Sequence, residues 1–152
     1  MPRQRVSNED DIKAYRLLAK KLGLKMTPQR LQIFDALMSM KGHPSAEDVF
    51  EAVRPKVPSM SLDTVYRTLA LLEHHGAISR VQHADDKARY DSETRRHCHL
   101  VCTRCRAIED FYWPEIEELQ APDETAQWGK IERRYLELRG ICRDCLAKDA
   151  RQ

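Results

Sequence analysis

The chain has 152 residues, with 26 Lys+Arg against 24 Asp+Glu and a formal charge of +2. At 41% hydrophobic and 33% charged it should fold into one or two small domains, and the total charge is too small to argue for nucleic acid by itself. No apolar run is long enough to cross a membrane and residues 1–25 hold no secretory-type apolar stretch, so a cytoplasmic location is expected.

The charge is uneven along the chain. Residues 1–82 carry 13 basic and 9 acidic side chains, whereas residues 83–152 carry 13 and 15, with all five cysteines. Residues of about 10–22 read as an amphipathic helix. Thr27-Pro28 then reads as an N-cap followed by proline in the first turn, with Leu31, Phe34 and Leu37 at helical spacing. After the break Gly42-His43-Pro44, Ser45 and Asp48 form a capping-box pattern, with Val49, Phe50 and Val53 as the apolar face. Pro55 and Pro58 close that helix. Ser61 caps the next one, whose inward face is Leu62, Val65, Leu69 and Leu72 and whose stop is Gly76. Thr64, Arg67, Thr68 and Leu71 are expected on its outward face. Strands at Ala77–Val81 and Ala88–Asp91 flank the polar turn His83-Ala84-Asp85-Asp86-Lys87. Three helices and a hairpin make the winged form of the helix-turn-helix. Its third helix would enter a major groove, and Lys13, Lys20, Lys21, Lys25, Arg30, Arg80, Lys87 and Arg89 could meet phosphates.

The second part alternates. A strand carries His97 and His99 on one face and Cys98 on the other. Cys102 and Cys105 bracket a turn, Ala107–Phe111 reads as a strand, and Pro114 opens a helix with Ile116 and Leu119 on one side. Tyr135–Arg139 reads as a third strand leading to Cys142 and Cys145.

Cys102, Cys105, Cys142 and Cys145 form two Cys-x-x-Cys pairs separated by 36 residues. Two such turns complete a tetrahedral thiolate shell suited to structural zinc, with no open position for chemistry. Redox pairs and unligated thiols are the alternatives. His97 and His99 suit a shared ion. Asp91 could approach it, and only one of Glu109 and Asp110 can join, because neighbours on a strand point opposite ways. Nitrogen and oxygen ligands without thiolate favour Fe(II), Mn(II) or Zn(II). On the residues alone, His43 reads as a helix-start histidine before Pro44.

The chain resembles the ferric uptake regulator family, metal-dependent dimeric bacterial repressors. The resemblance spans about Leu24 to Cys145. It rests on Met26-Thr27-Pro28-Gln29-Arg30, His43-Pro44-Ser45-Ala46-Glu47-Asp48, Asp63-Thr64-Val65-Tyr66-Arg67-Thr68-Leu69, His97-x-His99-x-x-Cys102-x-x-Cys105 and Gly140-Ile141-Cys142-x-x-Cys145. It implies an α+β chain with a winged helix-turn-helix DNA-binding domain over 1–87, a hinge at 88–92 and an α/β metal-binding dimerisation domain over 93–152. It also implies a homodimer on a double-stranded DNA operator, no enzymatic activity, and structural Zn(II) on the four cysteines named above. A regulatory Fe(II) or Mn(II) would be held by His43, Asp91, His97, His99 and Asp110. Thr64, Tyr66, Arg67 and Thr68 would face DNA, Tyr66-Arg67 being the usual contacting pair.

Iron sensors of the family usually carry Glu where this chain has Asp110, and peroxide sensors usually carry Asp. The resemblance is therefore to the peroxide-sensing branch, in which iron-dependent oxidation strikes the positions of His43 and His97. Where iron sensors hold a further metal site this chain has Cys98 and Arg134, and no third site is expected. An iron, manganese or zinc uptake regulator is the alternative within the family. Outside it stand a metalloenzyme using the nitrogen–oxygen cluster, for which no nucleophile–base set is evident, and a zinc-stabilised interaction module.

Overall fold

The computed structural model describes residues 8–21, 23–25, 27–81, 87–93, 97–131 and 134–149. The chain divides into two compact units, Met1–Thr94 and Arg95–Gln152. Met26 and turn residues 83–86 lie outside the described residues. No helix among the described residues is long and apolar enough to cross a membrane.

The N-terminal unit runs α1 (Asn8–Lys21), α2 (Pro28–Ser39), α3 (Ala46–Val53), α4 (Leu62–His74), β1 (Ser79–Val81) and β2 (Arg89–Asp91). Local chemistry sets its boundaries. The Thr27 hydroxyl accepts the Arg30 N–H at the start of α2, with Pro28 in the first turn. At α3 the Ser45 hydroxyl accepts the Asp48 N–H (3.2 Å) while the Asp48 carboxylate accepts the Ser45 N–H (2.8 Å), the full capping box. Helix α4 starts on Ser61 and ends at Gly76, whose φ of 72° only glycine adopts without strain. There the Ala77 N–H reaches the Leu72 carbonyl and the Gly76 N–H the Glu73 carbonyl, both 2.9 Å, a Schellman closure with Leu72 and Ala77 buried together.

Tyr15, Ile33, Leu37, Val49, Val53, Val65, Leu69 and Leu72 are fully buried, so each of the four helices contributes to one core. Tyr15 stacks on Phe34 at 3.9 Å between ring centres, fixing α1 to α2. The β1–β2 hairpin is antiparallel, with Ser79 opposite Asp91. Residues 88–92, expected as a hinge, therefore include a strand hydrogen-bonded into the wing, and the units divide after residue 94.

The C-terminal unit is a three-stranded sheet of order β4-β3-β5, with β3 (Cys98–Cys102) between β4 (Ile108–Phe111) and β5 (Glu137–Gly140). β4 runs antiparallel to β3 and β5 parallel to it. A parallel partner needs a long crossover. It is supplied by α5 (Pro114–Glu118) and a 3-10 turn at Asp123–Gln127 that the sequence reading did not anticipate. Leu119, expected on the apolar side of that helix, is 62% exposed and lies just beyond α5. α6 (Arg143–Asp149) closes the unit, with Arg104 ion-paired to Asp149.

Candidate functional site

The four cysteines are gathered at one end of the C-terminal sheet. Register does this: β3 and β5 are parallel with Cys102 opposite Gly140, so the two Cys-x-x-Cys turns leave the sheet side by side. The Thr103 N–H bonds the Gly140 carbonyl at 2.8 Å, and the first turn closes through Arg106 at φ 64°. All four sulfurs lie within 4.8 Å of one another, Cys102 and Cys145 at 3.9 Å and Cys105 and Cys142 at 3.6 Å. A tetrahedron with Zn–S of about 2.3 Å has edges of about 3.8 Å, so the thiols fit Zn(II). Hydrogen bonds tune them unequally. The Cys142 N–H donates to Cys102 Sγ (3.3 Å) and, with the Cys105 N–H, draws that thiol down to about 6. A hydrogen bond with Cys142, burial and the other thiols push Cys145 up to about 12.

At the other end of β3, His97 and His99 share one face, and β4 brings Asp110 directly opposite His99. The two Nε2 atoms are 3.0 Å apart, and Asp110 Oδ1 is 3.4 Å from His97 Nε2 and 3.7 Å from His99 Nε2. Cis ligands on an ion at about 2.1 Å stand about 3.0 Å apart, so this arrangement fits a single borderline cation. Glu109 pairs with Leu100 and projects from the other face. Cys98 is buried on that face too, opposite Phe111.

In the N-terminal unit, His43 and Asp91 are both buried. Gly42, at φ 77°, turns the chain into His43-Pro44, and the Pro44 carbonyl accepts the Tyr90 N–H at 2.9 Å. That bond ties the lead into α3 to β2 and sets His43 and Asp91 side by side, a ligand atom of each within 4.8 Å of the other. Asp91 Oδ1 also accepts the Glu93 N–H at 2.8 Å.

On α4, Tyr66 and Arg67 are exposed, and Arg67 pairs with Asp63 at 2.9 Å. Tyr66 donates to Glu47 Oε1 at 3.1 Å. Thr64 is partly exposed and its hydroxyl sits 2.8 Å from that of Ser61.

The sequence model of the ferric uptake regulator family matches residues 21–139. The chain belongs to the ferric uptake regulator family. It is 32% identical over 130 residues to the peroxide operon regulator of Bacillus subtilis, covering 86% of this chain and 90% of that one. It is 30% identical over 126 residues to the peroxide-responsive repressor of Staphylococcus epidermidis, covering 83% and 84%. Among solved structures it is similar to the Helicobacter pylori ferric uptake regulator, at a TM-score of 0.72 and 29% identity over 96% of this chain and 97% of that one. This is a metalloregulator of the ferric uptake regulator family, a family of transcriptional regulators and not of enzymes.

Within that family frame, one expected DNA-facing residue moves. Thr68 is buried, 4% exposed, because the stripe 65, 68, 69, 72 is the continuous inward face of α4. It packs where its methyl is useful and leaves Thr64, Tyr66 and Arg67 outside. The sequence reading also missed Glu47 as a partner of Tyr66. Nineteen residues separate them, and no local pattern could have paired them.

Proposed function

We propose that this regulator is a DNA-binding repressor that senses hydrogen peroxide through iron held by His43, Asp91, His97, His99 and Asp110. The observation that carries the reading is Asp110. It is the carboxylate facing His97 and His99, with Glu109 turned away, and relatives at about 30% identity are peroxide-responsive. Iron in such a shell supplies the one-electron chemistry that splits peroxide next to a ligand imidazole. The chain's own residues do the rest. His43 and Asp91 belong to the unit that reads DNA, and His97, His99 and Asp110 to the other, so one ion shared by all five favours a single arrangement of the two. Oxidation of His43 or His97 removes a nitrogen ligand and that preference with it, and DNA is released.

The same reading assigns Zn(II) to the four cysteines and a homodimer to the C-terminal unit. That unit leaves Trp128, Tyr135, Leu119 and Leu138 exposed, apolar side chains that a second copy of the chain would cover. Tyr66 and Arg67 contact an operator.

The test loads the zinc-bound chain with Fe(II) or Mn(II) and titrates peroxide while DNA binding is followed by anisotropy. Only the iron form is expected to release DNA, with one added oxygen on the peptide carrying His97 or His43. Unmodified histidine with release only on chelation favours an uptake regulator instead, and release from both forms places the oxidation away from the iron.

A further inference from the structure

Two consecutive carboxylates open α3, and both reach out of their own helix. Asp48 closes the capping box on Ser45 and also lies 3.3 Å from Arg89 Nη1 in β2. Glu47, next to it, accepts its own backbone N–H in the first turn of α3 and interacts with the Ser45 hydroxyl as well. It accepts the Tyr66 hydroxyl at 3.1 Å and lies 3.8 Å from Lys87 Nζ, in the turn of the wing just before β2. Glu47 thus holds one group from the reading helix and one from the wing, two elements that a winged helix lays against the duplex.

A carboxylate in that position has a sign consequence. Lys87 is 61% exposed and would otherwise be available to a phosphate. A cation paired within the protein neutralises less of the DNA backbone, and an anion nearby repels it. Both effects act on every sequence alike, since phosphates carry no sequence information. The hydrogen bond to Tyr66 acts differently: it selects one orientation of a ring on the base-reading face.

We propose that Glu47 is a specificity-determining positioning residue. It holds Tyr66 for base readout and sets a negative charge beside Lys87 that opposes the backbone, so it weakens binding to arbitrary DNA more than binding to the operator. This rests on the DNA-binding reading above.

The test uses the full chain loaded with zinc and Mn(II), and two duplexes of equal length. One is selected by the wild type from a randomised pool and the other is of arbitrary sequence. Glu47→Gln keeps an oxygen for the Tyr66 hydroxyl and removes the charge. It is expected to tighten binding to the arbitrary duplex several-fold at low salt. It should also steepen the slope of log Kobs against log salt by about one unit, the signature of one more phosphate neutralised. The ratio of selected to arbitrary binding then falls. In a Lys87→Gln background the same change should leave the slope where it was. Tyr66→Phe keeps the charge, and is expected to weaken the selected duplex with no change of slope on the arbitrary one.

An unchanged slope and unchanged arbitrary-duplex affinity in Glu47→Gln, with its melting transition intact, would overturn the assignment. So would a slope change of the same size in the Lys87→Gln background. If the wild type enriches no duplex at all, the DNA-binding reading itself fails, and that outcome is visible before any variant is made.

Discussion

Arg67 is held by a carboxylate of its own helix, and both partners are exposed. Such i,i+4 pairs contribute about 0.3–0.5 kcal/mol, so a guanine edge or a phosphate competes with Asp63 easily. Arg67→Ala is expected to cost about 1–3 kcal/mol of operator affinity if the guanidinium reads guanine. Anisotropy titrations against operators changed one base at a time check this: the loss should shrink at the base Arg67 reads, whereas a uniform loss marks a phosphate contact. The outward position of Arg67 was legible from helical spacing. Thr68 was not, because a threonine hydroxyl suggests solvent while its methyl and its place between Val65 and Leu72 suit the core. Strand alternation left Glu109 and Asp110 open, the family resemblance pointed to Asp110, and the β3–β4 register places Asp110 opposite His99.

The helix starts were readable because capping is local chemistry, settled within four residues. Ser45→Ala should remove about 1 kcal/mol of stability, seen as a lower urea midpoint with unchanged slope. Asp48 adds a pH dependence with a definite sign. The Ser45 N–H, then the Ser45 hydroxyl, then Arg89 hold its carboxyl below the usual value. A depressed folded value means the stabilisation is complete above the unfolded value and disappears as pH falls through the folded one. Asp48→Asn should therefore be less stable than wild type at neutral pH and converge with it in acid, where the wild-type carboxyl is protonated. Parallel stability profiles across that range would contradict this. The strands were less legible than the helices. Each has only three to five residues, and their ends are decided by partners far along the chain.

At the scale of the molecule the two units are stabilised differently. The N-terminal unit buries a continuous aliphatic core, whereas the buried residues of the other include Cys98, Val101, Cys102 and Cys145 and few aliphatics. A unit this small needs a staple, and zinc on the four thiolates would supply it. Cys142→Ser is expected to lose the zinc by native mass spectrometry and the C-terminal transition by calorimetry, while the N-terminal transition stays. Leu138, 42% exposed on β5, tests self-association. Leu138→Glu should shift sedimentation equilibrium from dimer toward monomer at micromolar concentration.

What the residues alone determine here is whatever closes over short distances: the three N-caps, the glycine stop of α4, the paired cysteine turns and the two histidines on one strand face. Backbone geometry and i,i+3 hydrogen bonds settle these without reference to the rest of the chain. Tertiary structure decided which carboxylate meets the histidines, that Thr68 turns inward, that the second cysteine turn arrives by a parallel strand, and that Glu47 holds Tyr66. Each of these joins residues brought together by strand register or helix packing, and such contacts depend on how every intervening segment folds.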